Sequence, residues 1–420
     1  MKVAKIIKII IFIYSILLIL QSETVAGDVI FDEDECGLIL LSKNPDIKIP
    51  NYTVYTAVSV QEWSDSAPTQ NISVYVDGVL RFTIYYNITG NDAVTHEFAQ
   101  AIASAARLAW TELVSNPSLR QSSFDEPPDA HIDIIITDLD WLSVGTLGVV
   151  LDGTWSGSTI NFEPGNRLFL DSGEDIFILI DTDYPSLWNS GYLSTPNTTR
   201  IDALVAHEFF HTIQVGYRHN YVGTFPGNDT WIVEGTAKWA EDEVRDDCNA
   251  YISHVNQFLN SPDISITDRS YDAVIFWKYL SEHIRKSGSE SDRRWIVKQV
   301  FEEIKNLNPN NFYFATNSIL AVDNALKKAG TTFKNTFRQF LIANYLNDQY
   351  YEEGYRYGNI TPTPISFTGQ SRSQSDSVNQ WAADYYEIEI ANQDADNFYY
   401  KLEYPLLQLA KDFWSALILV

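Results

Sequence analysis

The stretch LVAHEFFHTIQVGY, residues 204–217, sets His207 and His211 four residues apart, with Glu208 directly after the first. Positions i and i+4 share one face of a helix, so both imidazoles can present a nitrogen to one metal ion. Glu208 is offset from His207 by about 100° around the helix. It therefore sits beside such an ion rather than on it, where a carboxylate can take a proton from a metal-activated water. A histidine pair on a helix face is also, in an ordinary chain, a surface feature or a satisfied part of the core. A third donor would separate these readings.

Glu234 is the candidate. It stands 23 residues after His211 in WIVEGTAKWAED, preceded by Trp231, Ile232 and Val233 and followed by Gly235 and Ala237. A carboxylate among apolar and small residues is costly unless it is paired or bound to metal. Gly235 and Ala237 allow this segment to pack closely on the histidine helix. The bland alternative is a buried Glu234 salt-bridged to Lys238 or Arg245.

These residues need elements to hold them. RIDALVAHEFFHTIQV reads as a helix with Thr198 or Thr199 as cap, Asp202 in its first turn and Gly216 at its end. A second helix starts from Asp229 or Thr230 and carries Glu234. Upstream, DAVTHEFAQAIASAARLAWTELVS is a long alanine-rich helix pattern whose His96 and Glu97 lack a second histidine at 100 and read as surface. AHIDIIITDLD, GSTINF and DIFILIDTDY are strand candidates, the first strongly buried. Residues 271–345 read as several helices. The fold class is α+β, a mixed sheet with the motif helix, then a mainly helical lobe, then the start of a C-terminal β region. The expected division is 1–27 signal peptide, 28–90 β-rich region or propeptide, 91–355 main domain, 356–380 linker rich in Thr, Pro, Ser, Gln and Gly, and 381–420 the start of a β domain, joined to the body or truncated.

The first residues set the compartment. Lys2, Lys5 and Lys8 precede an apolar run from Ile9 to Leu20, and the small residues Ala26 and Gly27 follow. That is the layout of a cleaved secretory signal, since the run is short for a membrane span. The expected location is secreted or cell-surface, with membrane attachment only if the segment is retained. Removing Lys2, Lys5, Lys8 and Glu23 from 29 basic and 55 acidic residues leaves 26 against 54, a balance of −28. So acidic a chain does not offer nucleic acid a basic face. It suits an extracellular protein with a solvated acidic surface, and the expected ions include Ca²⁺ as a second one. Cys36 and Cys248 are the only cysteines, and an exported chain with two can form one disulfide.

HEFFH followed by WIVEGTAKWAED resembles the gluzincin metallopeptidases, whose H-E-x-x-H motif is completed by a downstream glutamate. The W-x-x-E-G-x-A shape is similar to the aminopeptidase N type and to hyicolysin-like secreted peptidases, and the chain also looks like little-characterised secreted metalloproteases of bacteria and archaea. The likeness spans roughly residues 90–390 and is specific around 204–242. It implies a zincin-like domain with Zn²⁺ on His207, His211 and Glu234, and Glu208 as general base in hydrolysis of a protein or peptide substrate. It also implies a Tyr or His that stabilises the oxyanion. Tyr271, heading YDAVIFWKYL, is the candidate, with His219 and His254 as alternatives. There are departures: Val233 stands where an Asn often precedes the ligand glutamate, the G-A-M-E-N stretch of aminopeptidases is absent, and the spacer is longer than in thermolysin. Lys238 occupies the position four after the ligand where an aspartate would support a histidine, so Glu241 is the better supporting carboxylate. Two other expectations compete: an extracellular binding or adhesion protein with an inert or structural zincin domain, and a hydrolase of peptidoglycan or glycoprotein using the same zinc chemistry.

Overall fold

The computed structural model describes residues 8–14, 52–53, 68–90, 92–116, 123–139, 146–156, 159–162, 175–183, 185–189, 195–217, 229–285, 293–307, 315–367, 379–390 and 414–419. The architecture is mixed α+β. Strands β1 (Lys8–Tyr14), β2 (Tyr52–Thr53), β3 (Gln70–Val76), β4 (Val79–Tyr86), β5 (Ile132–Ile136), β6 (Gly148–Ser156), β7 (Thr159–Phe162) and β8 (Asp175–Ile180) precede the motif helix. Strands β9 (Thr363–Phe367), β10 (Asp384–Ile390) and β11 (Trp414–Leu419) follow the helical part. The main sheet runs β2-β7-β6-β8-β5-β4-β3. Its middle, β4-β5-β8, is parallel, and its flanks are antiparallel.

Ile132, Ile134, Ile135 and Ile136 of β5 and Ile176–Ile180 of β8 are all buried. A parallel strand covered on both faces reads as a continuous apolar run, and IDIII and DIFILI are such runs. Helix α1 (His96–Trp110) crosses from β4 toward β5, capped by Thr95, whose hydroxyl accepts from the Phe98 amide at 3.2 Å. Phe82 on β4, Trp110 on α1 and Phe209 on α2 (Thr198–Tyr217) meet pairwise with ring centroids 5.5–5.7 Å apart, locking sheet and both helices together.

The motif helix α2 is buried on nearly every side from Leu204 to Val215, its polar residues included. Its start differs from expectation. Thr198 already lies within the helix, and Asn197 Oδ1 accepts the Arg200 amide at 3.3 Å. Asn197 is thus the cap, because a residue one step earlier reaches the first orphan amides. Helix α3 (Thr230–Val244) packs on α2. Beyond it come α4 (Ile252–Asn260), α5 (Val274–His283), α6 (Trp295–Asn306), α7 (Ala315–Lys328) and α8 (Phe333–Leu346).

The boundary expected at residue 90 falls within one sheet: β3 pairs with β4, and β4 with β5. Inside the expected linker, 363–367 form β9, which pairs with β10 in a second sheet ordered β11-β1-β10-β9. Lys8–Tyr14, from the segment read as a secretory signal, is a strand of that sheet, paired with both β10 and β11. The C-terminal region joins the helical lobe: Trp381 stands edge-on to Phe333 at 4.6 Å, and its carbonyl accepts the Ile266 amide at 2.9 Å. Among the described residues no helix is long and apolar enough to cross a membrane.

Candidate metal centre

His207, Glu208, His211 and Glu234 are each at most 3 % exposed, so the histidine pair is not a surface feature. His207 and His211 project from α2 with ring centroids 4.8 Å apart. Glu234 arrives from α3 in the gap between them. Its Oε2 lies 3.2 Å from His207 Nε2 and 3.4 Å from His211 Nε2. The three residues form a group able to hold a metal ion. The spacing suits a particular size. Ligands at 2.0–2.1 Å from a tetrahedral centre stand about 3.3 Å from one another, which is the separation of Oε2 from both nitrogens. Lys238 and Arg245, the partners of the bland alternative, are engaged elsewhere: Lys238 with Glu241 and Arg245 with Asp202 and Asp247.

The surroundings are strongly charged. His207 Nδ1 meets Glu241 Oε1 at 2.9 Å, and the same oxygen takes Lys238 Nζ at 2.8 Å. Burial alone would depress the His207 pKa, but hydrogen bonds to Glu234 and Glu241 outweigh it and lift the value to about 9. Burial works against ionisation of Glu234 too, yet His211 and His207 bring its pKa down to about 2. Glu241 is likewise brought to about 2 against its burial, by Lys238 and then His207. The site thus holds two ionised carboxylates on either side of one imidazole. The expectation that Glu241 rather than Lys238 backs a histidine matches this geometry.

Glu208 lies against strand β6. A Cβ at position 148 would stand 2.7 Å from Glu208 Oε1 and 2.8 Å from its Cγ, so only glycine leaves room for this carboxylate. A cleft opens beside it, lined by Leu147, Arg200, Leu204, His207, Glu208, Lys238 and Glu241. Tyr271 is buried in a short 3₁₀ turn just before α5, not in the helix itself. Its ring centroid is 5.9 Å from that of His207 and 5.3 Å from that of His254, and Lys238 Nζ lies 5.3 Å from it. Of the two named alternatives, His254 is buried beside Tyr271, and His219 lies outside the described residues.

Gly235 does not serve the packing of α3 on α2. A Cβ there would meet Trp277 Nε1 at 2.8 Å, and that indole donates to the Trp231 carbonyl at 2.8 Å. The glycine opens α3 toward α5 because the tryptophan, the larger group, needs the space. Cys36 lies outside the described residues, so its pairing with Cys248 does too; Cys248 is half-buried just beyond α3.

Two residues important to this geometry carry no motif. Gln214, 1 % exposed, meets His211 Nδ1 at 2.9 Å. Its signal was a polar side chain between Ile213 and Val215, the same cost argument that singles out Glu234. Gly148 opens GVVLDGTWS, a strand whose short Val149–Leu151 run lies between Gly148 and Asp152. Among the described residues one further group has metal-like spacing, Asp242, Asp246 and Glu353. There Lys278 Nζ stands 2.6 Å from Asp242 and 3.3 Å from Glu353, so an ammonium already supplies the cation. Compared with known proteins, the chain matches no family model and no curated protein sequence.

Proposed function

We propose that the chain is a secreted zinc-dependent endopeptidase of the gluzincin type, built on a zincin-like fold. The single observation that carries the reading is the convergence of two Nε2 atoms on one Oε2, each at tetrahedral spacing from it, with Glu208 lining the adjoining cleft. Two imidazoles and a carboxylate are a zinc donor set, and three protein donors leave a fourth position for water or substrate. Zn²⁺ held there supplies Lewis acidity, polarising a scissile carbonyl and acidifying a water.

The chain's own groups do the rest. Glu208 accepts the proton of the attacking water and passes it to the leaving amine. Glu241 holds the His207 ring through Nδ1, keeping Nε2 turned toward Glu234. Tyr271 is the donor to the developing oxyanion, the role that its place beside His207 permits. The layout of residues 1–27 supports export. Purified protein should cleave casein, lose that activity on chelation and regain it with Zn²⁺. Stoichiometric zinc without any cleavage of casein or of a peptide library would instead assign the chain to an extracellular binding protein with a structural metal.

A further inference from the structure

Gln214 sits one turn beyond His211 on α2 and reaches across to α3. Its Oε1 is 2.9 Å from His211 Nδ1. Its Nε2 donates to the Val233 carbonyl at 2.8 Å and to Thr236 Oγ1 at 2.9 Å. The Thr236 hydroxyl itself donates to the Ile232 carbonyl at 2.6 Å. These bonds leave one orientation for the amide. A hydroxyl whose proton is committed to Ile232 can only accept from Gln214, and the Val233 carbonyl can only accept as well. Both therefore require the NH₂ end, and the amide oxygen must face His211. An amide oxygen accepts and never donates, so His211 Nδ1 carries the hydrogen. In the neutral imidazole, the form that can bind a metal, the lone pair is then on Nε2, the atom that faces Glu234.

We infer that Gln214 is the positioning residue that fixes the tautomer and ring orientation of His211 and couples both to the helix carrying Glu234. This rests on the metal centre proposed above. Val233 is next to Glu234 and Thr236 is two residues beyond it, so one side chain ties the second histidine to the third ligand. The two histidines are supported unequally: His207 by an ionised carboxylate shared with Lys238, His211 by a neutral amide. Outer partners of this kind alter metal affinity by about 10–100-fold.

Two substitutions in the full chain separate a role toward the metal from a role in packing. Gln214→Met keeps the bulk and removes acceptor and donors. Gln214→Glu keeps the acceptor for His211 Nδ1–H and loses the two donors to α3. In chelator competition Gln214→Met should bind Zn²⁺ about 10–100-fold more weakly, while Gln214→Glu stays within about threefold of wild type despite a lower Tm. The visible spectrum of the Co²⁺-substituted protein should change in Gln214→Met and be largely restored in Gln214→Glu. Thr236→Val, which removes one anchor of the amide, serves if Gln214→Met does not fold, and should weaken zinc by a smaller factor. Wild-type affinity in Gln214→Met or in Thr236→Val overturns the role, as do equal losses in Met and Glu variants that track Tm. A wild-type chain that takes up no zinc overturns the metal centre itself, and is thereby distinct from a failure of Gln214 alone.

Discussion

Glu208 is wholly buried, yet it borders the cleft beside His207. A carboxylate held there for proton transfer should be separable from one that holds the metal. Glu208→Gln is nearly isosteric and cannot accept a proton. Zinc content should stay at one per chain while kcat falls by at least about 10²-fold; cleavage at the wild-type rate would remove Glu208 from the role of base. Tyr271 permits the same separation. Tyr271→Phe deletes only the hydroxyl, so full zinc and near-normal Tm should accompany a loss of about 10²-fold in kcat, the scale for one oxyanion donor. An unchanged kcat would make Tyr271 a packing residue and move attention to His254, its buried neighbour.

Three elements meet at the site: strand β6, the motif helix α2 and the Glu234 helix α3. The contact between β6 and α2 is tightest at Gly148. Gly148→Ala forces a methyl to within 2.7 Å of the Glu208 carboxylate unless something moves. Glu208 is the flexible partner, so its displacement should lower kcat by tenfold or more, as about 1 Å of misplacement can, with zinc retained and a stability loss of about 1–3 kcal/mol. Normal kcat in a folded Gly148→Ala would show that the strand does not set the base. The contact between α2 and α3 includes the group His207, His211 and Glu234. A metal bound at one hundred times its Kd adds about 2.7 kcal/mol to the folded state. Chelation should therefore lower the Tm of wild type and of Glu208→Gln alike, and leave His207→Ala/His211→Ala unmoved. Calorimetry with and without chelator measures this, and a double variant that responds like wild type would place the metal elsewhere.

At the scale of the whole molecule, α3 also anchors the helical lobe. Lys278 on α5 is fully buried within 3.3 Å of Asp242, Glu282 and Glu353, and Tyr251 bonds Glu353 from the start of α4. One ammonium among three carboxylates leaves room for a proton. Burial pushes Asp242 up to about 7 against the pull of Lys278, with Glu353 adding to the rise. A carboxyl raised in this way from 3.8 contributes stability below the unfolded pKa that is lost as pH rises through about 7. Asp242→Asn keeps the neutral shape at every pH. Between pH 4 and pH 8 wild type should thus lose stability relative to Asp242→Asn, read as a gap in Tm that moves in the variant's favour. A gap independent of pH would mean that Asp242 is ionised throughout. The lobe also buries a run of aromatic contacts, Phe276 with Phe333 and Phe340 among them, so its stability does not depend on the ion network alone.

The sequence by itself determined what is local or costly. His207 and His211 share a face because the helical repeat is a property of neighbouring residues. Glu234 stood out because a carboxylate in an apolar segment needs a reason, and the strands β5 and β8 because apolar runs bounded by turns have few other uses. Glu241 was legible seven residues on, at two helical turns. What only the tertiary structure decided are the meetings between elements. Gly148 and Glu208 are sixty residues apart, and no periodicity relates a strand residue to a helix residue. Gly235 could have opened α3 toward either neighbour; the bulk of Trp277 settled which. Gln214 looked like one more side chain of the motif helix until α3 supplied the two acceptors that orient its amide. The separation of the three donor atoms was equally out of reach, because it depends on where α3 crosses α2, and that crossing is set by packing over the whole core rather than by any residue at the site.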